Sequence, residues 1–152
     1  MANPRSTAQV VGHPIHPMLV PFPIVFFVSV FVCDLAFWQS GATAWTTAGI
    51  WLLGAGLVTA ALTAIAGLLD FAGQQRIRDL SDAWWHAGAN IVAVLIELYN
   101  FYIRYANGSS AVLPTGLILS LIVVCLLFFS GWKGGELVFR HRVGVNDSLG
   151  NP

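Results

Sequence analysis

Charge is what this chain has least of. Only 9% of its 152 residues are Asp, Glu, Lys or Arg, against about 25% in an ordinary soluble domain. So few charges cannot cover a folded surface, and 57% of the chain is hydrophobic, with mean hydropathy +0.74. Lipid is therefore the expected solvent and the first partner. Seven basic residues balance seven acidic ones, which leaves no field to attract nucleic acid. Cysteine is scarce too. Cys33 and Cys125 sit alone in apolar runs, where a thiol acts as a small hydrophobe and does not reveal the redox compartment. Also missing are a Cys-x-x-Cys-His for covalent haem, a Cys-x-x-Cys zinc pattern, a P-loop and a nucleophile elbow. Ser120 and Ser130 have no base near them in the chain, so hydrolytic chemistry, and enzyme activity by the chain alone, are not expected.

What the chain has is four apolar runs, at 18–38, 46–71, 83–105 and 113–140. About 20 apolar residues, rising 1.5 Å each, cross a bilayer. The expected fold class is all-α, an integral membrane four-helix bundle over residues 12–142, with tails at 1–11 and 143–152 and both termini on one side. An Ala-Thr-Ala triplet at 42–44 resembles a signal-peptidase site, but the run before it is too long for a signal core. The second run carries Gly56, Ala60 and Ala64, with Ala55, Thr59, Thr63 and Gly67 on the adjacent row; such rows let helices approach closely in lipid. Ser81 or Asp82 suits the N-cap of the third helix, and Pro114 the first turn of the fourth. With four crossings, Arg5, Arg76, Arg78, Lys133, Arg140 and Arg142 fall on the terminal side and only Arg104 on the other. The excess places the termini in the cytoplasm; a homo-oligomer is compatible with this.

Two constellations could carry chemistry. On the third helix His86, Asn90, Glu97, Asn100 and Arg104 recur at steps of four, seven, three and four and share one face. A carboxylate in hydrocarbon is costly, so this face must point into the bundle. It reads either as a functional seam or as structural glue, with Glu97 neutral or paired to Arg104 and Asp34 a second partner for Arg104. The other constellation gathers at the terminal side. It contains His13, His16, His86 and His141, with Asp70, Lys133 and Glu136 nearby. Neutral imidazole is the commonest metal ligand. His86 lies in a first turn, where the helix dipole disfavours imidazolium; His141 lies at a C-terminal end, where simple capping competes. For His13 the competing role is a turn residue ahead of Pro14. His16 precedes Pro17 and so prefers extended backbone, which makes His-Pro-x-x-His-Pro a rigid bent entry. Trp84, Trp85, Trp132 and Phe139 suit an interfacial belt, or the walls of a flat pocket.

The segments Gly-His-Pro-Ile-His-Pro-Met-Leu-Val-Pro-Phe-Pro at 12–23, Gly-Leu-Leu-Asp-Phe at 67–71, Trp-His at 85–86 and Ser-Gly-Trp-Lys-Gly-Gly-Glu-Leu-Val-Phe-Arg-His-Arg-Val-Gly-Val at 130–145 resemble a bacterial membrane family, domain of unknown function 2231. The resemblance spans nearly the whole chain. Arg142 stands where that pattern leads one to expect glycine, and adds positive charge beside His141. The resemblance implies a bacterial inner (cytoplasmic) membrane, four spans and the company of Rieske or cytochrome c domains, to which some members are joined. The leading expectation is an electron-transfer unit binding haem b through two or more of His13, His16, His86 and His141, with basic side chains meeting the propionates. Two alternatives stand beside it. One is a non-haem site for Zn, Cu or Fe built from those histidines with Asp70 or Glu136. The other is a cofactor-free scaffold or assembly subunit.

Overall fold

The computed structural model describes residues 3–4 and 6–145; Arg5 and 146–152, the end of the expected tail, lie outside them. Two short strands, β1 (Gln9–Val10) and β2 (His13–Pro14), pair antiparallel with Val10 opposite His13. Helix α1 (Ile15–Leu19) follows, then α2 (Pro21–Ser40), which ends where Gly41 takes the left-handed conformation at φ 67°. Helix α3 (Thr43–Gly73) runs back, and α4 (Gln75–Arg78) is a single turn. Helix α5 (Ser81–Asn107) turns through residues 108–116 into α6 (Leu117–Gly135), which closes on a π-helical turn, Glu136–Arg140.

The molecule is two hairpins, α2–α3 and α5–α6, packed side by side; α2 also touches α6, and α3 touches α5. Three helical stretches are long and apolar enough to cross a membrane: Ile15–Ser40, Thr43–Gly73 and Ser81–Arg140. The last folds back on itself at Leu113, the residue before Pro114, whose extended backbone (φ −118°, ψ 132°) is what proline imposes on its predecessor. The chain is all-α apart from the short N-terminal pairing.

The core is small and close-packed. Phe27, Val30, Leu53, Ala60, Ala93 and Val123 form its apolar centre. Gly56 makes room for the Phe27 ring, which would collide with any Cβ there. The large hydrophobes mostly face outward: Trp51 and Phe128 are each 77% exposed. Meanwhile Asp34, Glu97, Asn100, Arg104 and Ser120 are at most 3% exposed. That inversion suits a protein solvated by hydrocarbon, where polar groups must find partners within the bundle.

The hairpins repeat one another. His16 and His86 are 70 positions apart, as are Asp34 and Arg104; Gly49 and Gly116, Thr63 and Ser130, and Gly67 and Gly134 are each 67 apart. His16 lies against Gly67 and the Thr63 carbonyl, and His86 against the matched Gly134 and Ser130 carbonyl. The repeat is too diluted by substitution to read from the letters alone.

Local expectations change in three places. His16 is helical, not extended, because Pro17 is the third residue of α1, where its missing N–H removes no helix bond. Leu80, not Ser81 or Asp82, caps α5, and the Asp82 carboxylate is drawn instead to Lys133 and His141. The N-terminal segment is tied down. Ser6 Oγ, Thr7 N, Thr7 Oγ1 and Ala8 N all donate to the Asp70 carboxylate at 2.7–3.1 Å.

Candidate functional site

At the end of the bundle where the chain enters, α1 and α5 bring His16 and His86 together. Their ring centres are 6.1 Å apart and their planes nearly perpendicular, at 84°. Each ring is anchored in its own hairpin. His16 Nδ1 lies 2.9 Å from the Thr63 carbonyl oxygen and His86 Nδ1 2.8 Å from that of Ser130. A carbonyl only accepts, so Nδ1 carries a hydrogen in both rings, and in the neutral form of either ring Nε2 is the lone-pair nitrogen. A glycine lies under each: a Cβ on Gly67 would fall 2.8 Å from His16 Nδ1, and one on Gly134 3.1 Å from His86 Cε1. His16 Nε2 makes no hydrogen bond among the described residues. Asn90 Nδ2 donates to His86 Nε2 at 3.2 Å and to the His86 carbonyl at 2.9 Å.

The other named residues lie elsewhere. His13 is exposed, with Nδ1 3.1 Å from the Val11 carbonyl. His141 Nε2 sits 3.0 Å from Asp82 Oδ2, and Lys133 Nζ donates to Asp82 Oδ1 at 2.8 Å. These two partners hold the Asp82 carboxyl below the usual carboxylate range, Lys133 contributing most. Asp70 is consumed by the N-terminal clasp, and Glu136 meets Arg140 at 3.4 Å. The six-residue ligand set of His13, His16, His86, His141, Asp70 and Glu136 is thus not assembled. Among the described residues no three His, Cys, Asp or Glu side chains converge as a metal cluster would require. Trp84, Trp85, Trp132 and Phe139 are 59–88% exposed and wall no pocket around the imidazoles.

Towards the far end side chains of α5 and α2 meet. Arg104 forms a two-pronged ion pair with Asp34, Nη1 to Oδ1 and Nη2 to Oδ2, both at 2.7 Å. Arg104 Nε donates to Asn100 Oδ1 at 2.9 Å; Ser120 Oγ donates to Asp34 Oδ2 at 2.8 Å and accepts from Arg104 Nη2 at 3.3 Å. Gly49 and Gly116 admit the guanidinium, since Cβ atoms there would stand 3.3 Å from Nη1 and 2.8 Å from Nη2. Glu97 does not reach Arg104: its Oε2 accepts from Asn100 Nδ2 at 2.9 Å, and Oε1 is buried with no partner. Geometry explains this. Arg104 spends its fork on Asp34, the carboxylate directly across the bundle.

Sequence reasoning passed over Ser120, Ser130 and Thr63, whose partners are 16 to 86 positions away. The spacing of Gly49, Gly67, Gly116 and Gly134 was the available signal.

Fold and site together define a multi-pass membrane protein whose polar groups are gathered along its axis. The family model described as Predicted membrane protein (DUF2231) matches residues 12–147, and the chain belongs to that family. No curated protein and no solved structure matches the chain.

Proposed function

We propose that the chain crosses a bacterial cytoplasmic membrane four times, with the imidazole end and both termini on the basic, cytoplasmic side. We further propose that it serves as an electron-transfer unit in which His16 and His86 would hold a b-type haem. One observation carries this. Two imidazoles on facing helices are each fixed through Nδ1–H to a backbone carbonyl, the arrangement that orients a ligating ring and keeps Nε2 basic. With ring centres 6.1 Å apart, the two imidazoles would be near enough to hold one group between them. The donor set fits a bis-imidazole centre. Haem iron so held would exchange one electron.

The chain's own contribution is positional. Thr63 and Ser130 set the tautomer, Gly67 and Gly134 let each ring lie flush on its hairpin, and Asn90 would have to release His86 Nε2 for that nitrogen to serve as a ligand. Arg140, exposed and paired with Glu136 at 3.4 Å, could exchange that partner for a propionate. Redox partners of Rieske or cytochrome c type follow from the family resemblance.

The test is an oxidised and dithionite-reduced absorption spectrum of protein expressed with added haem and purified in detergent. A Soret band lost in His16→Ala and His86→Ala, but kept in His13→Ala and His141→Ala, is the expected result. Stoichiometric Zn, Cu or Fe without a Soret band replaces haem by a bare ion. A colourless, metal-free preparation overturns both and leaves the scaffold. For the crossings, single cysteines at Asp79 and Ser109 should label from opposite sides of the membrane.

A further inference from the structure

Glu97 Oε1 is the one buried side-chain polar atom without a hydrogen-bond partner among the described residues. Its residue is 0% exposed. It lies ten residues from the end of α5, roughly 15 Å at 1.5 Å per residue. An oxygen of a carboxylate stranded there is expensive unless a positive partner reaches it. The nearest cation, Arg104, is committed to Asp34, Asn100 and Ser120. No other cation is at hand. Along α2 the only charged residue is Asp34; α3 carries none before Asp70 and α6 none before Lys133, both at the imidazole end.

Packing does not require a carboxyl at this place. Phe27, 70 positions earlier, holds the corresponding position in the first hairpin at 2% exposure, and Val30 corresponds to Asn100. The second hairpin has put an acid where the first has a hydrocarbon, and then left half of it unmatched.

We propose that the Glu97 carboxyl is a proton-binding site in the bundle core, holding one exchangeable proton on Oε1. The step is a single association, carboxylate plus proton giving carboxylic acid, with no redox partner. With the proton bound, Asp34, Glu97, Asn100, Arg104 and Ser120 form a neutral unit. Without it, the core holds one uncompensated negative charge, so release is linked to entry of another cation or to opening of the Asp34–Arg104 pair. The site is independent of whether His16 and His86 bind a metal.

Infrared spectra of the full chain in detergent, in water and in deuterium oxide, test this. An acid carbonyl stretch that shifts on deuteration and is lost in E97Q is expected. A hydrophobic carbodiimide gives the second readout: the acid O–H adds across its C=N bond, oxygen bonding to the central carbon and the proton passing to nitrogen. One adduct on the Glu97 peptide, lost in E97Q, is expected. Glu97→Leu serves as the second variant should E97Q fail to fold. Carboxylate bands alone at every pH where the protein stays folded overturn the proposal. So does an acid band that survives both variants, or a Glu97 carboxylate band that moves when sodium replaces potassium, which would make the occupant a metal cation.

Discussion

From α1 into α2 the core-facing positions of the first hairpin read His16, Phe27, Val30 and Asp34; along α5 those of the second read His86, Glu97, Asn100 and Arg104. The ends of the two series match in role. Imidazole meets imidazole at one end, and acid meets base at the other. The middles differ, hydrocarbon in one and polar in the other. Positions that agree are also those served by matched glycines and by a matched Thr63 or Ser130 carbonyl, so they form a common frame. Those that disagree are additions to the frame, and Glu97 is the addition that remains unmatched.

The comparison is broken most severely at the ion pair. Arg104→Leu strands the Asp34 carboxylate, and a loss of about 3–5 kcal/mol is expected from chemical denaturation in mixed micelles. The double variant D34L/R104L should recover most of it, because two apolar side chains leave no buried charge. An equal loss in both would mean that the pair itself, rather than the orphaned charge, carries the stability. The clasp on Asp70 comes next. Ser6→Ala removes a buried hydroxyl bonded to a carboxylate at 2.8 Å and should cost about 1.5–3 kcal/mol, with faster proteolysis at residues 6–12.

The glycines sharpen the comparison between imidazoles. Gly67→Ala drives a Cβ to 2.8 Å from His16 Nδ1, whereas Gly134→Ala reaches only 3.1 Å from His86. The first should cost about 1–3 kcal/mol by overpacking, offset by about 1 kcal/mol of helix propensity. The second should cost less, and thermal melts of the two will rank them. The smallest effect is at Asp82, for which the first hairpin has only Gly12, 70 positions earlier. Its carboxyl is held below the ordinary range by Lys133 and His141. Its contribution is therefore present above the ordinary carboxylate value and lost as pH falls through the depressed one. D82N should flatten that acid limb of the melting temperature.

Much of the core seam was legible in α5 because His86, Asn90, Glu97, Asn100 and Arg104 follow helical spacing, a local property of the chain. Asp34 as partner of Arg104 followed from depth alone. Which two of four histidines would meet was not legible. His13 and His16 are three positions apart, and only the pairing of β1 with β2 sends one ring to the surface while α1 carries the other inward. Asp70 looked like a ligand and proved to be the anchor of the N-terminal segment, through partners 62 to 64 positions away.

Composition and periodicity by themselves determined the solvent, the helices and the face of α5 that turns inward, since each depends on hydrocarbon length or on neighbours within a turn or two. Tertiary structure alone decided that His16 meets His86, that Arg104 takes Asp34 rather than Glu97, and that Glu97 keeps an oxygen to spare. Those outcomes depend on how two hairpins dock, and the close approach that allows it comes from glycines whose partners lie on other helices.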